Sequence, residues 1–309
     1  MPLSWCSNSN SRVMLAINNL LTNNQIKSYF LLTFIISWGA ILCIVGPDGL
    51  PATSEEAKQA IGLGLLLGPS FAAFTLTAVL KGKEGLRELL LLPMNVNPCQ
   101  NQNRGCSYYD YALAILIAPL SSMITLLILS TFVSEAYTPK LLTSTDETSL
   151  VITGISIGTI IGTLEEVGWS GYAVPRLLQS SYTVLKTGVI TGALWGIWHF
   201  PPFWEVDTFS FSSWIPLLLL FGRLFTWIIP FRVIMVWFYS KMMKRSLALA
   251  LLLMILMHTS LVFCMIAIEP PLHDSELLTY ILSWTVVLWL TVLLLLGASC
   301  TNFTHEKVQ

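Results

Sequence analysis

Hydrophobic residues fall in solid blocks along this chain. Apolar runs occur at about 28–46, 60–80, 110–133, 150–178, 184–203, 214–240, 246–266 and 277–297, each closed by charged or turn-forming residues. A bilayer core is about 30 Å thick, so roughly 20 apolar residues in a helix cross it. Each block has about that length. A barrel strand would show weak alternation over about ten residues instead, and an open strand would leave its backbone groups unpaired in lipid. The pattern therefore predicts an all-α, polytopic integral membrane protein of about eight transmembrane helices. The polar first 27 residues carry no cleavable leader pattern, because the first apolar block is too long for one.

Composition supports that class. Charged residues make up 11% of the 309 residues and hydrophobic ones 54%, with a mean hydropathy of +0.71. A soluble chain carries roughly 25% charged residues. A net charge of −1 gives no electrostatic basis for a nucleic-acid partner. The six cysteines form no CxxC pair, and Cys99 and Cys106 lie in a polar loop expected to face the reducing cytosol. Basic residues then orient the chain. With the N-terminus cytosolic, the inner segments hold Arg12, Lys27, Lys81, Lys83, Arg87, Arg104, Arg176, Lys186, Lys241, Lys244, Arg245 and Lys307, against Lys58 and Lys140 outside. This positive-inside bias predicts both termini in the cytosol. The membrane would be the plasma membrane of a bacterium or the endoplasmic reticulum of a eukaryote.

Ionisable residues within spans are costly and mark function. Here they are Glu165, Glu166, His199, Arg223, Arg232 and His258, with Asp110 at a span edge. Glu166 lies about 16 residues before the polar turn at Ser180 to Thr183, and His199 about 17 after it, so both sit about 24 Å along their helices. Counted from Met243, Arg232 and His258 lie about 17 and 22 Å along theirs. Two glutamates, two histidines and an arginine are thus expected in one layer. Adjacent Glu165 and Glu166 point about 100° apart, so one can face a cavity while the other braces a neighbouring helix. Trp195 shares a helix face with His199. The plainer readings are helix-end carboxylates, an interfacial histidine, a packing histidine and a structural arginine. Arg223 is left without a role, and His273 and His305 are expected to be solvated.

Three stretches resemble the motifs of the CPBP family, which comprises CAAX proteases and bacteriocin-processing enzymes and is also called the Abi family. Glu165-Glu166-Val-Gly-Trp-Ser-Gly-Tyr-Ala-Val-Pro-Arg-Leu resembles the first motif, Glu-Glu-x-x-x-Arg. Trp195 to His199 resembles the second, an aromatic four residues before His. Arg232-Val-Ile-Met-Val-Trp-Phe-Tyr with His258-Thr-Ser-Leu resembles the third, His-x-x-x-Asn. The resemblance is firm over about 150–265. It implies an eight-helix bundle with a cytosol-facing cavity, organised as a polar segment at 1–27, helices 1–3 with their loops at 28–145, a catalytic core at 146–300 and a tail at 301–309. It also implies an intramembrane endopeptidase in which Glu165 activates water, His199 helps hold it, His258 donates to the oxyanion and Glu166 braces the helices, with no acyl-enzyme. Two positions depart from the family. Ser170 stands where the motif has Arg, so Glu166 is either neutral or paired with Arg232 from across the bundle; the second is expected, with Arg232 within about 8 Å of a glutamate. Val262 stands where the motif has Asn and offers no donor to an oxyanion hole.

No resident cofactor is expected. A zinc ion, if held, would take Glu165, His199 and His258, although HExxH is absent. The implied partners are a hydrophobic or prenylated peptide or protein substrate and membrane lipid. Two other classes stay open: a non-catalytic immunity or scaffold protein binding hydrophobic peptides or lipids, and a proton-coupled transporter, for which no internal repeat is found.

Overall fold

The computed structural model describes residues 21–91, 108–206, 208, 209 and 214–305. Cys99, Cys106 and most of the polar N-terminal segment lie outside them. The described residues contain helices and no strand. In chain order the helices are α1 (Gln25–Val45), α2 (Glu55–Leu91), α3 (Tyr108–Phe132), the short α4 (Lys140–Thr143), α5 (Glu147–Gly168), α6 (Val174–Gln179), α7 (Val184–Trp198), the short α8 (Phe200–Phe203), α9 (Ile215–Phe221), α10 (Ile228–Met243), α11 (Leu247–Phe263) and α12 (Asp274–His305). Wide π-helical turns at Trp169–Ala173, Gly222–Thr226 and Cys264–Ile268 join α5 to α6, join α9 to α10 and extend α11. The described residues thus hold seven helices long and apolar enough to cross a membrane.

The local sequence explains the boundaries. Asp146 caps α5 by accepting from the Ser149 amide at 3.0 Å, and Thr183 and Ser246 cap α7 and α11 in the same way. The break in α2 falls at Gly82, whose φ of 65° suits glycine alone, immediately after Lys81 has ended the apolar run. The expected span at 184–203 is divided. α7 has 15 residues, about 22 Å of helix. The chain then bends at His199 into the Pro-led α8, because Pro201 and Pro202 lack the amides that would continue the helix.

The residues facing outward are apolar, among them Leu31, Leu63, Phe71, Ile128, Ile160 and Leu293, all more than half exposed. That is the surface a chain presents to acyl chains, and it makes this a multi-pass membrane protein. α11 is the central helix, 72% buried across its span, whereas α1 and α12 are 28% buried at the margin.

Two stripes of glycine at four-residue spacing draw the inner helices together. Gly154, Gly158 and Gly162 run down α5 and face α11; a Cβ on Gly158 would stand 2.7 Å from the Thr259 carbonyl oxygen and 3.0 Å from its Cα. Gly188, Gly192 and Gly196 run down α7 and face α10; a Cβ on Gly188 would stand 2.5 Å from the Val233 Cα. Without a hydrophobic drive between helices in lipid, such close backbone approach supplies the association. Gly158→Val is therefore expected to push α5 off α11 and cost about 1–3 kcal/mol of stability. Thermal unfolding in detergent checks this, with Gly62→Ala on the open face of α2 as a neutral control, since a Cβ there meets nothing within 4 Å.

Candidate active site

The glycine stripes bring the ionisable residues within reach of each other. Glu165 and Glu166 sit one turn before the π-helical turn of the α5–α6 rod, Trp195 on α7, Arg232 on α10 and His258 on α11. All five side chains are buried, with Glu166 and Arg232 at 0% exposure. Wide π turns recur near functional sites because they re-aim neighbouring side chains. Here the turn carries Ser170 back beneath Glu166.

Glu166 is saturated with partners. The Arg232 Nη1 donates to both of its oxygens at 2.9 Å, Ser170 Oγ donates to Oε2, and the His258 Nδ1 lies 3.0 Å from Oε1. A carboxylate only accepts, so the His258 Nδ1 is the donor in that contact. The Arg232 Nη2 also donates to Ser170 Oγ at 3.2 Å. Arg232 thus reaches Glu166 across the bundle, and the small Ser170 leaves room for the guanidinium. A charge pair so deeply buried gains by Coulomb attraction what it lost in solvation only when its remaining donors and acceptors are satisfied, which these contacts do for the carboxylate.

Glu165 is held differently. The Trp195 Nε1 donates to its Oε2 at 2.8 Å, and the His258 Nε2 stands 4.0 Å from its Oε1. That separation is beyond hydrogen-bond range. His258 therefore has one nitrogen fixed by Glu166 and the other turned toward Glu165. The Trp195 ring packs edge-on to His258 at 5.3 Å and takes the Arg232 guanidinium over its face at 5.5 Å. Glu165 is left with an oxygen that no basic side chain occupies.

His199 lies at the edge of this cluster. Its Nδ1 is 2.9 Å from the Trp195 carbonyl, which only accepts, so Nδ1 carries the hydrogen and Nε2 the lone pair of the neutral ring. Its ring packs against Trp195, Trp198 and Phe203. Among the described residues it makes no hydrogen bond or ion pair with either glutamate. Trp195 thus links the two, with its indole on Glu165 and its carbonyl on His199. Val262 is buried one turn beyond His258 and adds no donor. Thr259 and Ser260 donate back to their own helix, to Ile255 and Met257 carbonyls at 2.8 Å.

Glu165, His199 and His258 are the residues named for a metal. No three metal-type side chains gather among the described residues. Arg223, without a role from sequence, pairs with Glu205 at 2.8 Å away from the cluster. Asp110 meets Arg245 at 3.9 Å with both partly exposed, as befits an interfacial position. His273 is exposed, and the side chain of His305 lies outside the described residues. Sequence reasoning missed Ser170 as a working partner of Glu166 and missed both glycine stripes, although their four-residue spacing was a readable signal.

Comparison with known proteins bears on the same stretch. Residues 147–264 match the family described as type II CAAX prenyl endopeptidase Rce1-like. The chain is also 33% identical over 98 residues to CAAX prenyl protease 2 of Methanococcus maripaludis, a match covering 30% of this chain and 34% of that protein. The chain therefore aligns with about a third of the relative's length. The matched segment contains Glu165, Glu166, Ser170, Trp195, Arg232 and His258, so the chain is similar to that family over the stretch that carries the candidate site.

Proposed function

We propose that the protein is an intramembrane endopeptidase in which Glu165 activates water to cleave a membrane-associated peptide or protein, with a prenylated CAAX-type tail as the substrate class. The observation that carries this reading is the unequal treatment of two adjacent carboxylates. Glu166 is locked by Arg232, Ser170 and His258, whereas Glu165 has one oxygen set by Trp195 and the other beside His258. A base must be positioned yet able to accept a proton, and only Glu165 meets both conditions.

The chemistry follows from those contacts. Glu165 takes a proton from water as the water oxygen bonds to the scissile carbonyl carbon, and the carbonyl π electrons move onto oxygen. His258, as the doubly protonated imidazolium with Nδ1–H on Glu166, presents Nε2–H to that oxyanion, a preorganised donor of the kind that lowers such barriers most. Collapse breaks the C–N bond, and the proton on Glu165 passes to the leaving amine. His199 offers an Nε2 lone pair to orient the water. No metal enters these steps, and no acyl-enzyme forms.

The test is cleavage of farnesylated and unprenylated versions of one peptide by the purified full chain in detergent, with and without a chelator. Cleavage confined to the prenylated peptide and indifferent to chelator supports the reading. Intact peptide in every arm, or activity abolished by chelator and restored by zinc, overturns it. One observation favours a second reading. Val262 removes a donor from the motif, as a non-catalytic binder of hydrophobic peptides or lipids could tolerate. Such a protein would bind the peptide and never cut it. Val262→Asn then separates the readings, because it is expected to raise kcat of an enzyme by about tenfold or more and leave a binder inert.

A further inference from the structure

A cavity of about 300 Å³ opens at the end of the bundle that carries Glu205 and Glu269. Its wall is aromatic on one side. Trp227 and Trp284 stack at 5.4 Å, and Tyr280 continues the stack at 5.8 Å. The stack is anchored: the Trp284 Nε1 donates to Ser121 at 2.8 Å, and the Tyr280 hydroxyl meets Ser122 at 2.8 Å. The charged groups lining the cavity are Lys58, Glu205, Arg223 and Glu269. Lys58 is neutralised by Glu55 and Arg223 by Glu205, each at 2.8 Å. The Glu269 carboxylate makes no hydrogen bond or ion pair among the described residues. One unbalanced negative charge thus faces a wall of π-systems.

We propose that this cavity binds an organic ammonium group, the head of a lipid or a soluble amine, between Glu269 and the Trp227–Trp284–Tyr280 stack. An alkylammonium combines a positive charge with apolar methyl or methylene surface, and aromatic walls attract that combination. A hard metal ion needs several oxygen ligands, and among the described residues lining the cavity only one carboxylate is uncommitted. A phosphate would require Arg223 to leave Glu205. The site is separate from the Glu165 cluster, and its existence does not depend on the proteolytic reading. Phe203 lines the cavity and stacks on His199 at 6.0 Å, so an occupant would bear on the edge of that cluster.

Burial pushes the Glu269 carboxyl up from 4.5 to about 7, against the pull of Arg223. The folded state therefore holds this proton more tightly than the unfolded chain. The stability from that proton is complete below pH 4.5 and is lost as pH rises through about 7. Thermal unfolding of wild type and Glu269→Gln across pH 5 to 8 checks this, with the variant gaining on wild type toward pH 8. A bound cation would compete with the proton, so affinity is expected to be higher at pH 8 than at pH 6. The other charges facing Glu269 across the cavity are Lys58, Arg223 and Glu205.

The experiment is scintillation-proximity binding of radiolabelled choline to the full chain in maltoside detergent at pH 8. Saturable binding is expected. Glu269→Gln should weaken it tenfold or more, and Met265→Trp, which fills the cavity and keeps the carboxylate, should abolish it. Displacement by short-chain phosphatidylcholine and not by phosphatidylglycerol identifies the lipid headgroup as the source, and resistance to both identifies a soluble amine. Absence of saturable binding to wild type, or its full retention in either folded variant, overturns the proposal. If Glu269→Gln fails to fold, Met265→Trp decides.

Discussion

Replacing Glu165 with glutamine is expected to lower kcat by about 100- to 10,000-fold while leaving KM within a few-fold of wild type. The range is that of a lost general base. Glutamine has nearly the shape of glutamate, and its amide oxygen can still accept from the Trp195 Nε1, which lies 2.8 Å from the native carboxylate. The packing around His258 and the glycine-lined contact of α5 with α11 are undisturbed. What disappears is the ability to take a proton from water. Steady-state kinetics on a prenylated peptide, with substrate binding measured separately, checks the split. A kcat within threefold of wild type would remove Glu165 from the mechanism. Loss of binding together with turnover would make it a structural acid. A pH-coupled ion flux lost in the same variant would point to a transporter.

The second large effect concerns Arg232. Arg232→Met removes the guanidinium and leaves the Glu166 carboxylate at 0% exposure with Ser170 and His258 as its remaining partners. Breaking one side of a buried pair costs about 3–5 kcal/mol, because the remaining charge stays desolvated. Two double variants then separate charge from position. Arg232→Met with Glu166→Gln removes both charges and should recover most of the stability. It should not recover turnover, since the ring of His258 loses the negative charge beside Nδ1 that favours its doubly protonated, donating form. Arg232→Met with Ser170→Arg returns a guanidinium to Glu166 from one turn along its own helix, the arrangement of the family motif. It should recover both stability and turnover. Thermal unfolding in detergent and kinetics on the same preparations provide the two readouts. If Ser170→Arg gives no recovery in the Arg232→Met background, the two positions are not exchangeable supports for Glu166.

These expectations rest on features of unequal legibility. The apolar blocks and their bounding charges were plain because span length is a local property, set by the rise of a helix against the thickness of lipid. The expectation of one layer for Glu166, His199, Arg232 and His258 came from counting residues away from turns. That Arg232 should serve Glu166 followed from Ser170, since a carboxylate in a span needs a counter-charge and the motif arginine is missing. The short α7 was harder to see, because the bend at His199 depends on where Pro201 falls relative to the last helical turn. The bend also ties His199 to the Trp195 carbonyl, at the margin of the cluster.

By itself, then, the amino-acid order determined a multi-pass helical membrane protein and the heights along its helices at which its charged side chains lie, because both depend on distance along single helices. The tertiary structure alone decided which neighbour each charge meets. Glu165 and Glu166 differ by about 100° of helix rotation, and that angle assigns one to Trp195 and the other to Arg232 only after the glycine stripes have set how closely α5 and α7 approach α11 and α10. Rotation and approach are properties of packed pairs of helices, and no count along one chain segment contains them.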